Sequence, residues 1–250
     1  MRYFIELSYN GTNYCGWQRQ PDAPTVQESI EKALSILLRT TTPIVGAGRT
    51  DTGVHASFYV AHFDFEGKTD DKPLDPKWLT YKLNILLPHD IAIQRIYEVA
   101  AEAHARFDAT ERQYTYIIEP HKNPFTRHTS WQYNTALDIE KMNLAAEYLS
   151  RHTDFTTFAK LGSGNATNIC DVREARWERQ PSGALHFTIR ADRFLRNMIR
   201  AIVGTLVDVG RGRYTPEEFN SLVEQRDLSK ASTGAPAQGL FLSNVKYQKP

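Results

Sequence analysis

Apolar residues in the first hundred positions switch between two spacings in a fixed order. Tyr3 to Tyr9 alternates with the period of a strand and is rich in aromatic and aliphatic side chains. Thr25-x-x-Glu28, with proline just before it, has the pattern of a capping box. Val26, Ile30, Ala33, Leu34 and Leu37 then recur at helical spacing, as in a helix packed on a sheet. Phe58 to Phe65 is apolar at both parities, the mark of a central strand buried on two faces. Pro76 to Leu86 reads as a second helix and Ile91 to Val99 as another strand. The order β-α-β-α-β fits a small α+β sandwich, two helices on one antiparallel sheet.

The remaining chain repeats the theme. Strands are predicted at Tyr114 to Glu119, Ala175 to Arg179, Leu185 to Ala191 and Gln238 to Val245. Helices are predicted after Asp138, from Phe194 to Val209 with apolar residues opposite Arg193, Arg196, Asn197 and Arg200, and after Thr215-Pro216. We therefore expect two α+β halves, 1–104 and 105–250, the first carrying a glycine-rich loop and the second a tyrosine-bearing strand and a basic helix.

Composition excludes several classes. With 30 Lys and Arg against 29 Asp and Glu, the chain lacks the basic excess of a generic nucleic-acid binder. Six arginines between Arg190 and Arg213 face only two aspartates, so a local basic face fits a neutral protein. No apolar run approaches the ~20 residues of a membrane span, and the first residues read as a strand rather than a signal peptide. Two cysteines and eight histidines form neither a disulfide framework nor a metal-ligand set. A cytoplasmic protein without a metal is expected.

Chemistry concentrates in Gly46-Ala47-Gly48-Arg49-Thr50-Asp51-Thr52-Gly53-Val54-His55-Ala56. Glycines bring backbone close to its surroundings, and a guanidinium near Asp51 would keep that carboxylate ionised, an acceptor or nucleophile rather than an acid. A structural turn with Asp51 as a cap explains the same composition. Two readings also stand for the Asn10 to Ala23 loop. Tyr14, Trp17, Gln18, Arg19 and Gln20 suit base stacking and edge contacts, or they pin a long loop to the core.

Four separated stretches carry a resemblance. Gly16-Trp17-Gln18-Arg19-Gln20, Ala47 to Ala56, Ala105-Arg106-Phe107 with Arg112-Gln113-Tyr114-Thr115-Tyr116, and Met198 to Gly204 resemble the motifs of the tRNA pseudouridine synthase A family. Smaller matches are Val26-Gln27, Asn84 with Leu87 to Ile91, and Ala235 to Leu240, in the family's order over nearly the whole chain. The resemblance implies RRM- or ferredoxin-like α+β halves forming an extended, mainly antiparallel sheet with the active cleft between them. It further implies a homodimer that isomerises uridine to pseudouridine at positions 38, 39 and 40 of the tRNA anticodon stem-loop without a cofactor. Asp51 matches the catalytic aspartate, Tyr114 the tyrosine stacked on the base, Arg49 the arginine beside the aspartate and Arg200 the arginine that pairs with it.

The residue types suit that reaction. Breaking the N1–C1′ bond builds positive charge on the sugar, which a carboxylate meets as nucleophile or base. An aromatic face holds the freed uracil while it turns, and an arginine can wedge into the place of a flipped nucleotide. His55 is a second candidate base and substrate contact; Arg106 touches phosphate or staples the halves. The chain departs from the family at Phe58-Tyr59, where Gly-Gln is usual, and at Leu86, where a second Asn often stands. A catalytically idle RNA-binding protein and a nucleoside hydrolase or glycosylase are the competing functions.

Overall fold

The computed structural model describes residues 1–67, 73–160, 162, 164 and 166–248. The chain forms two compact units, Met1–Thr110 with Leu242–Pro250, and Glu111–Phe241. Each holds mainly antiparallel strands flanked by helices.

In the first unit β1 (Arg2–Tyr9) lies between β3 (His55–Asp64) and β4 (Ile91–Val99), antiparallel to both. The short β2 (Val45–Gly46) also pairs with β3, and β9 (Leu240–Tyr247) lies on β3's other side. β3 is thus interior, and Tyr59 to Phe63 are all buried, as its two-sided apolar pattern predicts. Alternation along β1 places Tyr3, Ile5, Leu7 and Tyr9 on one buried face. On the other, the Phe4 ring meets those of Tyr97, His62 and Tyr247 at centroid distances of 6.0, 6.2 and 5.5 Å.

Helix α1 (Val26–Leu38) starts where Thr25 Oγ1 accepts the Glu28 N–H, at 3.4 Å. The Glu28 carboxylate instead meets Lys32 Nζ at 2.9 Å. Helix α2 (Pro76–Leu86) is capped by Asp75 and packs on α1 and β4. Its Asn84 side chain exchanges two 2.8 Å hydrogen bonds with the backbone of Ile93, tying helix to strand.

In the second unit β8 (Leu185–Ala191) lies between β5 (Ala109–Glu119) and β7 (Val172–Arg179), antiparallel to both, while the short β6 (Trp131–Gln132) runs parallel to β5. Helix α3 (Ile139–Glu147) packs against β7, α4 (Met198–Gly210) and α5 (Pro216–Glu224). A full capping box opens α5: Thr215 N–H reaches Glu218 Oε2 at 2.8 Å and Glu218 N–H reaches Thr215 Oγ1 at 3.2 Å.

Helix α4 differs from its sequence-based expectation. It begins at Met198, because Asn197 adopts a left-handed conformation with φ 64°, which asparagine tolerates better than most residues. Phe194, Arg196 and Asn197 therefore belong to a turn ahead of the helix. Every residue of α4 is buried except Arg200, so it is an interior helix rather than one with a basic outer face.

Candidate active site

Residues 47–54 hang between the antiparallel strands β2 and β3, whose register pairs Val45 with His62 and Gly46 with Ala61. The loop that begins at Asn10 fixes them from the side. Thr50 is buried, its Oγ1 2.8 Å from the Tyr9 hydroxyl and its carbonyl accepting the Trp17 N–H at 3.3 Å. Gly53 N–H donates to the Tyr14 carbonyl at 3.3 Å, and Val54 N–H to the Asp51 carbonyl at 3.1 Å. The Trp17 ring stacks on Tyr59 at 4.1 Å, and the Tyr59 hydroxyl donates to the Gly48 carbonyl. Backbone hydrogen bonds and buried rings thus hold both flanks of Asp51, whose own side chain is only partly buried.

The other candidates in this unit separate into surface and anchor. Arg49 is exposed and forms no ion pair with Asp51. His55 is 1% exposed and its Nδ1 accepts the Gly11 N–H at 3.0 Å. A ring so enclosed has no face for a nucleotide; it joins the Asp51 loop to the Asn10 loop. Arg19 is exposed, 3.6 Å from Glu31, and Gln20 is exposed with its Nε2 donating to the Cys15 carbonyl at 2.9 Å. Arg106 is exposed, its guanidinium 5.7 Å from the centre of the Phe107 ring.

The aromatic residues of the Asn10 loop resolve in favour of anchoring. Trp17 is buried, and so is Tyr14, whose hydroxyl donates to Asp90 Oδ1 at 2.6 Å. Burial and that carboxylate raise the Tyr14 phenol pKa far above its ordinary value.

In the second unit Tyr114 stands opposite Ile189 on β8, half-buried, with its ring edge-on to Phe194 at 5.2 Å. Two residues on, Tyr116 is wholly buried; its hydroxyl donates to the Pro236 carbonyl at 2.7 Å, and burial pushes its pKa strongly up. Alternation puts both tyrosines on one face of β5, yet only Tyr114 keeps a partly open ring. Arg200 Nε donates to the Ala235 carbonyl at 2.6 Å, and Ala235 N–H returns a bond to the Arg200 carbonyl at 2.9 Å. The 235–236 segment therefore locates both the arginine and the strand that bears Tyr114.

Half of the arginines of the basic run from 190 to 213 are engaged by carboxylates. Arg190 meets Glu111 and Glu174, while Arg211 and Arg213 meet Asp208 at 3.6 and 3.4 Å.

The contacts of three supporting residues escape sequence reasoning. Gln27, on the inner side of α1, accepts the Arg19 N–H and a Gln18 side-chain N–H, both at 2.9 Å, and donates to the Ile44 carbonyl at 3.0 Å. Its signals in the sequence were the small Val26-Gln27 match and a polar residue on an apolar helical face, and neither shows its partners. Tyr59 supports Gly48 and Phe194 supports Tyr114, and neither partnership is visible in periodicity. Among the described residues no group of three or more His, Cys, Asp or Glu is placed to hold a metal, and no helix is long and apolar enough to cross a membrane.

Comparison with known proteins gives this arrangement a context. A family model described as tRNA pseudouridine synthase matches residues 7–108 and 145–248. The tRNA pseudouridine synthase A of Bacteroides fragilis is 50% identical over 246 residues, covering 98% of this chain and 96% of its own. That of Parabacteroides distasonis is 52% identical, with coverage of 98% and 96%. The Bacillus subtilis protein of the same name is 38% identical, with 99% of each chain covered.

Proposed function

The chain belongs to the tRNA pseudouridine synthase family, and on that premise we propose that it acts on uridines 38, 39 and 40 of the anticodon stem-loop through Asp51. Its reaction class is the isomerisation of uridine in tRNA to pseudouridine. The observation that carries the assignment to Asp51 is its setting: a partly accessible carboxylate on a loop fixed at Gly48, Thr50, Gly53 and Val54. Such preorganisation suits a group that must meet one sugar carbon.

Asp51 attacks C1′ or deprotonates C2′ as the N1–C1′ bond breaks. Tyr114 offers its ring to the freed uracil, which rejoins the sugar through C5 as the C5 hydrogen leaves. Arg200, whose Nε donates to the Ala235 carbonyl, takes the role that the family resemblance gives it, that of the arginine which orients the catalytic aspartate. Arg49 takes the role of the family's arginine beside the catalytic aspartate, and an arginine can fill the place of a flipped nucleotide. Arg106, Arg19 and Gln20 contact the RNA around the target, whereas His55 positions the Asp51 loop from within. The working form is a homodimer, requires no cofactor and is cytoplasmic.

Tritium release from tRNA carrying [5-³H]uridine tests this directly, because C5 loses its hydrogen only when a bond to C1′ forms there. Asp51→Ala is expected to lower release at least ~100-fold while tRNA binding and the unfolding transition stay near wild type. Mapping pseudouridine in the product at positions 38, 39 and 40 tests the site choice. Equal release by mutant and wild type would remove Asp51 from the chemistry. Free uracil in solution would identify a glycosylase, and binding without release an idle RNA-binding protein.

A further inference from the structure

Among the described residues the most exposed large apolar side chain is Phe125, at 93%. It sits between β5 and β6 in the sequence Pro120-His121-Lys122-Asn123-Pro124-Phe125-Thr126-Arg127-His128. This segment is folded by its own hydrogen bonds. Asn123 Oδ1 accepts the Phe125 N–H at 3.0 Å and the Asn123 carbonyl accepts the Thr126 N–H at 3.3 Å. The Thr126 carbonyl then takes the Thr129 N–H at 2.9 Å and the Ser130 hydroxyl at 2.8 Å. Phe125 is therefore held out of the core by a hydrogen-bonded turn.

Its surroundings are cationic. His121, Lys122, Arg127 and His128 are all exposed, and no Asp or Glu occurs between Glu119 and Asp138. Lys122 and Arg127 make no ion pair among the described residues. The arginines of the 190–213 run behave differently in part, since Glu111, Glu174 and Asp208 engage three of the six. On a chain with a formal charge of +1, affinity for a polyanion has to come from local clusters whose charge is not already spent.

An open aromatic face flanked by two free cations matches one chemical partner well. The π-face suits an unpaired nucleobase, and a cation on either side suits the phosphates before and after it. We propose that the 121–128 turn is a tRNA-binding element, in which Phe125 stacks on an unpaired nucleotide while Lys122 and Arg127 hold its flanking phosphates. The proposal rests on the reading of this chain as a tRNA-modifying enzyme and adds a contact point remote in sequence from Asp51.

The test uses the full chain with an unmodified tRNA transcript, measuring affinity over a salt series and tritium release in parallel. Phe125→Ala should weaken binding about five- to a hundred-fold, the range for losing one stacked base, and Phe125→Trp should restore it. Lys122→Ala with Arg127→Ala should flatten the slope of log affinity against log salt by about 1.4–1.8, as for two lost phosphate contacts. At saturating tRNA, kcat should stay within about twofold of wild type, so the loss falls on KM. Wild-type affinity and slope in both variants would overturn the proposal. So would an altered oligomeric state in sedimentation with an unchanged slope, which would make the turn a contact between copies. Failure of wild type to release tritium would count against the enzymatic reading alone, because the binding series still decides whether the turn holds RNA.

Discussion

Asp51 and Arg200 are both located by a chain segment lying against a glycine, but the two glycines carry different backbones. In the first unit Gly16 has φ +85°, and a Cβ there would sit 2.3 Å from the Thr50 carbonyl oxygen. In the second, Gly204 lies within α4, one turn after Arg200, and a Cβ there would sit 2.4 Å from the Thr233 carbonyl oxygen. Both contacts are with backbone, so neither clears by turning a side chain. Gly16 is needed twice, for its positive φ and for the close approach; Gly204 is needed for the approach alone.

Paired alanine substitutions turn this difference into the largest expected effects. Gly16→Ala adds left-handed strain to the clash and should cost ~3 kcal/mol or more of stability. Because the clash falls on Thr50, Asp51 should move with it, and a displacement near 1 Å can cost ~100-fold in rate. Gly204→Ala gains up to ~1 kcal/mol of helix propensity, which offsets part of an overpacking cost of about 1–3 kcal/mol. Urea unfolding and tritium release on both variants measure the outcome. A loss for Gly204→Ala as large as that for Gly16→Ala would break the comparison, and would mean that the 233–235 segment is as rigid as the Asp51 loop.

The same contrast marks what the sequence disclosed. Alternation located β1 and β8, and Thr215-Pro216-x-Glu218 located the start of α5, because those signals depend on near neighbours in the chain. The two-residue strands β2 and β6 have no period to detect. The start of α4 was misplaced because Leu195 continues the helix's apolar spacing, while the break depends on Asn197 turning left-handed. At the candidate site the glycine-rich loop and its carboxylate were legible. The burial of His55 was not: it depends on Gly11 N–H arriving from a loop more than forty positions away. That β9 joins the first unit was likewise beyond periodicity, which identifies a strand but not its neighbour.

Tyr59 offers a finer probe of the first unit. It stands where the resembling family usually has glutamine, and its hydroxyl donates to the Gly48 carbonyl from beneath the Asp51 loop while its ring stacks on Trp17. Tyr59→Phe keeps the stack and removes the donor. Leaving the carbonyl without that bond should cost ~1 kcal/mol and lower tritium release several-fold without changing tRNA affinity. Unchanged turnover would sharpen the picture differently, by assigning the position of Asp51 to the loop's other ties, the Gly16 contact and the Tyr9–Thr50 bond among them.

The smallest effect separates the two ties, His62 with Ala105 and Arg200 with Ala235, by pH. In the first unit, His62 is 5% exposed and its Nδ1 accepts the Ala105 N–H at 3.1 Å, next to Arg106. Burial first, then the neighbouring His104 and Arg2, lower its pKa to about 4. The corresponding tie in the second unit, Arg200 with Ala235, involves no group that titrates in the acid range. A histidine neutral in the fold but titrating near 6.5 when unfolded takes up a proton on unfolding between those values. Its contribution is therefore complete above about pH 6.5 and is lost as pH falls toward 4. The ion-paired carboxylates Asp64 and Asp154 have pKa values held below the ordinary value by Arg2 and by Thr156 respectively, so their losses begin near or below pH 4. Urea unfolding from pH 7 to 4.5 should show wild-type stability declining, and His62→Gln should decline less steeply over that interval. Hydrogen exchange should lose protection at the Ala105 amide before the Ala235 amide as pH approaches 4. Simultaneous loss at both amides would show that acid acts on the two units together, and that the difference between their anchors is one of geometry rather than charge.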